Sequence, residues 1–248
     1  MLHRPLHTVG AHEVHLWHLL AEHVTDAAAI QAMRDLLTTD EHVRMNCLRH
    51  EKDRVLFLLS RGLMRSVLAS YLGCHGRDVC FASDSQGKPI LRKENHDQRL
   101  HFNLTHSRGA VALAVSGGRE VGIDVEERRR TVEYLDLAKR FFAPAEASYL
   151  QSLSAEALPD AFFAIWTLKE AFVKGIGRGL SFPLDAFAFD LEANRLQRFQ
   201  PLADFVSPDW HFQQFELGDH HCGAIAVQHS PGCEVIIEMR DWREIFVV

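Results

Sequence analysis

WTLKEAFVKGIGRGL, residues 166–180, has apolar side chains at helical spacing, yet Lys169, Glu170 and Lys174 stand in its middle and Gly175, Gly177 and Gly179 crowd its end. Phe162, Phe163 and Ile165 ahead of it, with Trp166, Phe172 and Val173 inside it, make most of this helix apolar, so it reads as a largely buried element. Glu170 and Lys174 are four apart and share one helix face. On a surface such a pair contributes only about 0.3–0.5 kcal/mol. On a buried helix, charged side chains need a partner, an ion or a ligand. The glycines read as a C-cap and a turn. They follow a helix rather than precede one, and no lysine-hydroxyl pair succeeds them, so they are not a phosphate loop.

Working outward, EVHLWHLL reads as a first strand, and Asp26 to Leu72 as two helices closed by Gly73. Short apolar runs follow, VCFA, LHFNLTHS and GAVALAVSGGREVGIDVE, with the turn SDSQGKP between the first two and a hairpin signal at Gly117-Gly118. Val132 to Ile176 turns helical, with Pro144 near one start. DAFAFDL, HFQQFEL, CGAIAVQ and EVIIEM read as strands. This order predicts an α+β fold of two halves with similar plan, residues 1–118 and 119–248, although no sequence repeat accompanies the division.

Composition sets the outer bounds. The chain has 248 residues, 47% hydrophobic and 24% charged, the ordinary balance of a globular protein. A formal charge of −6 argues against a nucleic-acid coat, which needs a basic excess. The five cysteines are scattered without a C-x-x-C pair, so neither a disulfide framework nor a zinc ribbon is expected. The first residues lack the apolar core of a signal peptide and no run of 18 apolar residues occurs, so a cytoplasmic protein without a membrane span is expected.

Several polar clusters are candidates for chemistry. In VGIDVE, Asp124 and Glu126 are two apart and project from one face of a strand, a pair of hard oxygen donors suited to Mg²⁺. A strand ending in a solvated acidic turn would look the same. FNLTHS places Asn103, Thr105, His106 and Ser107 where a strand gives way to a loop, as donors for phosphate or ribose oxygens or as a hydrogen-bonded turn. Lys88 in QGKP offers a point charge to an anion. The early histidines (His3, His7, His12, His15, His18, His23) read as ordinary polar positions, since a metal centre also needs orienting partners. EERRR, residues 126–130, reads as a solvated loop, with Arg128 to Arg130 also able to meet an acidic partner.

Together QGKPIL, FNLTHS, VGIDVE, AKRFFAPAEASYL and WTLKEAFVKGIGRGLSFPLDAF resemble, in order and spacing, the 4′-phosphopantetheinyl transferases of the monomeric stand-alone subclass that activates surfactin synthetase. The resemblance covers about Arg44 to Phe189. It implies a pseudo-twofold tandem of two α/β halves with the active site in the cleft between them. It also implies transfer of the phosphopantetheine arm of coenzyme A to a serine of an apo acyl or peptidyl carrier protein, with Mg²⁺ as cofactor. Carried over by position, Asp124, Glu126 and Glu170 would hold the metal, with Glu170 also the base. Lys174 and Lys169 would face phosphates, Arg44 and Lys88 would bind the nucleotide's phosphates, and Thr105 and His106 would fall in the coenzyme A loop. Two departures are Ala171, where serine often follows the lysine-glutamate pair, and Thr105, where serine is frequent. A monomer with no nucleic-acid or membrane partner is expected. The other readings are a different Mg²⁺-dependent nucleotide enzyme and an inactive module that binds coenzyme A or a carrier protein. The natural carrier and its pathway are not written in the sequence.

Overall fold

EVHLWHLL forms strand β1 (Glu13–Leu20), buried on both faces, with Val14, Leu16 and Trp17 essentially inaccessible. In the computed structural model, residues 5–83, 86–92, 100–229 and 232–246 are described. His3 and residues 84–85 of the SDSQGKP turn lie outside them. The chain continues through α1 (Ala27–Asp35), α2 (Thr39–Asn46) and α3 (Glu51–Leu72), then β2 (Phe81–Ser83), β3 (Pro89–Leu91), β4 (Leu100–Ser107), β5 (Ala110–Gly117) and β6 (Val121–Glu127). Three helices follow, α4 (Tyr134–Phe141), α5 (Pro144–Gln151) and α6 (Leu158–Gly175). The remainder is β7 (Phe187–Glu192), β8 (Arg195–Pro201), β9 (Trp210–Leu217), β10 (His221–Gln228), β11 (Ile236–Asp241) and a short α7 (Arg243–Phe246).

Contacts divide the chain into two units, Met1–Glu120 with Glu234–Val248, and Val121–Cys233. In the first, a sheet of order β11-β1-β5-β4 is covered by α3, whose Leu63, Met64, Val67 and Leu68 are buried. The length and mean hydropathy of α3 would let it cross a membrane, but 72% of that apolar window is buried within the protein. In the second, the antiparallel sheet β6-β10-β9 carries α6. A cluster of rings, among them Phe172, Phe187, Phe189, Phe199 and Phe212, fills the space between α6 and the β7–β8 hairpin.

Three expectations are corrected. The region before Gly73 holds three helices, because Thr38 and Glu41 form a reciprocal capping box that starts α2 afresh: Glu41 N donates to Thr38 Oγ1 at 3.3 Å and Thr38 N to Glu41 Oε2 at 3.0 Å. The runs flanking Gly117-Gly118 are not a hairpin. β5 pairs with β1 and β4, whereas β6 pairs with β10, so the glycines mark a passage between sheets. Finally, residues 234–248 do not complete the second half. β11 runs parallel to β1, and Trp242, 3% exposed, packs into the first unit's core.

One early histidine, His15, reaches that last strand, and His7 packs beside it. Trp17 Nε1, a donor only, gives its hydrogen to Tyr71 Oη at 3.0 Å, and Tyr71 Oη stands 2.5 Å from His15 Nδ1. His15 Nε2 lies 3.4 Å from Glu238 of β11. His7 stacks edge-on against Trp17 at 5.1 Å and its Nδ1 meets Ser70 Oγ at 3.1 Å. Burial, then the nearby Arg240 charge, holds the pKa of both histidines below the ordinary 6.5. A histidine kept neutral in the fold binds a proton first in the unfolded chain. Its stabilisation is therefore present above pH 6.5 and is lost as pH falls from there toward the lowered native value. Thermal melts from about pH 7.5 to about pH 5 should show Tm falling on the acid side, and the fall should be shallower in His15→Gln. An identical slope in the variant would mean His15 is not the titrating group.

Candidate active site

The second unit's chemistry is arranged by two glycines. A Cβ placed on Gly122 of β6 would lie 2.0 Å from the Ala171 carbonyl oxygen and 2.2 Å from the Gly175 amide nitrogen. Strand and helix backbones therefore touch, which no residue with a side chain permits. A Cβ on Gly175 would in turn meet the Trp210 ring at 2.7 Å. Strand side chains alternate, so the face of β6 that meets α6 at Gly122 also carries Asp124 and Glu126. From α6, Glu170 precedes Ala171 and Lys174 precedes Gly175, the two residues in contact with Gly122.

The consequence is a knot of charge in a buried place. Lys174 Nζ donates to Asp124 Oδ1 at 2.6 Å. Asp124 is 5% and Glu170 8% exposed. Burial pushes the Glu170 pKa upward, the Asp124 charge adds to the rise, Lys174 opposes it, and Glu126 raises it further. Arg130, two residues past β6 in the basic run, lies 3.5 Å from Glu126 Oε1. In the same run Arg128 pairs with Glu216 at 2.5 Å and Asp160 at 3.5 Å, so that run is engaged with acids rather than simply solvated.

Whether this set suits a divalent cation is decided by its donors. All three carboxylates are hard oxygen donors, and Asp124 and Glu126 each raise the proton affinity of Glu170, the repulsion a cation would relieve. Among the described residues no group of three His, Cys, Asp or Glu side chains forms a ready-made cage. The donor chemistry of the three carboxylates is that of an ion such as Mg²⁺, which takes few protein ligands and completes its shell with water and phosphate.

Lys169 requires a correction. Its ammonium is 0% exposed and donates to Glu146 Oε2 at 2.8 Å, Leu184 O at 2.7 Å and Phe187 O at 2.8 Å, which uses its three hydrogens. Phe187 lies 4.4 Å beneath it and Phe142 5.4 Å away. It faces no phosphate. Glu146 also accepts from Ala143 N and Phe189 N, both at 2.9 Å, so one buried pair fastens α5 and β7 to α6. Burial drives both partners toward their neutral forms, and their contact opposes it. The sequence reading missed Glu146, although a glutamate at the third position after a proline-started helix is a recognisable first-turn signal.

The other candidates belong to the first unit. Arg44 is exposed in the last turn of α2, and Lys88 is half-buried just before β3. FNLTHS does not give way to a loop, because β4 continues to Ser107. Thr105, 4% exposed and opposite Ala112, and the exposed His106, opposite Val111, therefore project from opposite faces of β4.

Residues 120–226 match the family model of the 4′-phosphopantetheinyl transferase superfamily, and residues 25–117 match that of the 4′-phosphopantetheinyl transferase N-terminal region. The chain is 34% identical over 220 residues to the 4′-phosphopantetheinyl transferase HetI of Nostoc, covering 89% of this chain and 90% of that one. It is 31% identical over 188 residues to the 4′-phosphopantetheinyl transferase Sfp of Bacillus subtilis, covering 75% and 80%. With the human L-aminoadipate-semialdehyde dehydrogenase-phosphopantetheinyl transferase it shares 27% over 208 residues, 78% and 67% of the two chains.

Two substitutions separate positioning from ligand contact. Gly122→Ala should lower stability by more than ~2 kcal/mol in urea titration, because its methyl meets backbone rather than a movable side chain. Lys169→Met should cost ~3–5 kcal/mol by leaving Glu146 buried and unpaired, and adding Glu146→Leu should recover much of that loss. Full stability in Lys169→Met would restore a ligand-facing role.

Proposed function

Because the chain belongs to the 4′-phosphopantetheinyl transferase superfamily, we propose that it transfers the 4′-phosphopantetheine group of coenzyme A to a serine of an apo acyl or peptidyl carrier protein, releasing adenosine 3′,5′-bisphosphate. The observation that carries the site assignment is the convergence of Asp124, Glu126, Glu170 and Lys174 at the Gly122–Gly175 contact. An inactive binding module would have no need of this buried charge, which the fold maintains against desolvation.

Phosphoryl-type transfer asks the protein for position and charge rather than covalent work. Asp124, Glu126 and Glu170 would hold Mg²⁺, which when bound supplies positive charge to the pyrophosphate oxygens of coenzyme A. Lys174, 30% exposed at the edge of the cluster, pairs with Asp124 and would present its remaining hydrogens to phosphate oxygens. Glu170 holds a proton more firmly than an ordinary carboxylate, which suits it to take the hydrogen of the carrier serine as that oxygen bonds to phosphorus and the bisphosphate oxygen departs. Arg44, Lys88, Thr105 and His106 are assigned to coenzyme A on the family resemblance.

Each unit carries a long helix on an antiparallel arrangement of strands, α3 on β4 and β5, α6 on β6 and β10, and we carry the internal duplication into this proposal on that likeness. The five cysteines are free, which supports a reducing, cytoplasmic setting.

Intact-mass spectrometry of an apo carrier protein incubated with the enzyme, coenzyme A and Mg²⁺ tests the reading. A gain of ~340 Da, the phosphopantetheine group, should appear and should vanish with EDTA. Asp124→Ala and Glu170→Gln should each lower the rate by ~10²-fold or more while leaving the melt unchanged. Full activity in either folded variant overturns its assignment.

A further inference from the structure

Lys174 stands in the last turn of α6, with Gly175 and Gly177 directly after it, the second at φ +65°. A final helical turn has few intrahelical bonds to hold it, and glycine adds freedom at its end. What fixes this turn therefore comes from outside the helix. One neighbour is the backbone of Gly122, described above. The other is the indole of Trp210, the first residue of β9: a Cβ on Gly175 would meet its Cζ3 at 2.7 Å and its Cη2 at 2.9 Å. The indole is itself held. Its backbone pairs with Gln228 of β10, and its ring meets Phe172 edge-on at 5.3 Å. Phe172, 1% exposed, is packed in turn by Phe187 at 4.7 Å and Phe199 at 5.4 Å.

We propose that Trp210 is a positioning residue for Lys174: its indole edge is the stop that holds the last turn of α6 where the Lys174 ammonium meets Asp124 and, with coenzyme A bound, phosphate oxygens. The inference rests on the transferase reading. Trp210 needs no contact with the substrate for this role, since it acts through the backbone of Gly175, the residue after Lys174. An indole has only two side-chain torsions to lose, so it sets a neighbour's distance better than a flexible apolar chain would. The Glu146–Lys169 pair cannot serve as the stop, because it fastens α6 five residues before Lys174, more than one helical turn away. A shift of the last turn by about 1 Å leaves the unit folded, yet it can cost ~10²-fold in rate.

A mutant cycle on the full chain tests it, read by calorimetric titration with coenzyme A in the presence of Mg²⁺ and by the transfer rate. Trp210→Leu should weaken coenzyme A binding several-fold and lower kcat/KM for coenzyme A about tenfold, while KM for the carrier protein stays unchanged. In a Lys174→Gln background, adding Trp210→Leu should weaken coenzyme A binding no further, because a residue that acts through Lys174 then has nothing to act on. Trp210→Phe withdraws the indole edge that meets Gly175 but keeps a ring beside Phe172, and it carries the same comparison if Trp210→Leu does not fold. Undiminished binding and rate in both Trp210 variants, or a full further loss on top of Lys174→Gln, overturns the assignment and leaves the transferase reading intact. Failure of the wild-type protein to bind coenzyme A and to modify an apo carrier overturns both.

Discussion

The contact on which the second unit depends is between two backbones. Gly122 of β6 lies against Ala171 and Gly175 of α6 so closely that a single methyl group on the strand would overlap the helix main chain. Helices normally stand off a sheet by the thickness of the side chains between them. Where that layer is removed, residues flanking the contact are carried inward, and here they are Asp124 from the strand with Glu170 and Lys174 from the helix. A close-packed, apolar neighbourhood thus acquires ionisable groups that solvent cannot screen. The upward shift of Glu170 is a direct result, with burial as its first cause and Asp124 as its second.

Fixing that contact requires fixing the helix, and the two lysines of α6 divide this work. Lys169 and Lys174 are five residues apart, which turns them roughly 140° from each other around the axis. One points into protein and finds Glu146 and two carbonyls; the other reaches the acidic cluster. The fully satisfied Glu146–Lys169 pair has no hydrogen left to offer a ligand. Its effect is to hold α5, β7 and α6 in one arrangement, so that Glu170, the next residue along, is presented from a helix that cannot rotate. In linear sequence both are lysines flanking a glutamate, and nothing local tells them apart.

Legibility followed the range of the forces involved. β1, β9 and β10 could be read because short runs rich in apolar and β-forming residues are a local signal, and α6 because its apolar positions recur at helical spacing. The acidic pair on β6 and the Glu170–Lys174 face were legible for the same reason. Partner choice was not. Gly117-Gly118 between two apolar runs has the local chemistry of a hairpin, but β5 is claimed by β1 and β4 and β6 by β10. β11 joins β1 through Glu238 on His15, Arg240 over Trp17 and the burial of Trp242, contacts that span most of the chain.

The charge inventory at the β6–α6 contact explains why the cluster suits a phosphate-bearing substrate only in company with a cation. Asp124, Glu126 and Glu170 are faced by Lys174 and Arg130, so these five side chains leave one negative charge in excess when all are ionised. By itself that excess would repel a pyrophosphate. A divalent ion reverses the sign, and the same carboxylates that repelled the substrate then become the means of attracting it. Lys174 and Arg130 meanwhile offset part of the carboxylate charge in this buried setting. On the transferase reading, affinity for substrate and affinity for metal would be coupled through the charge of one strand and one helix face.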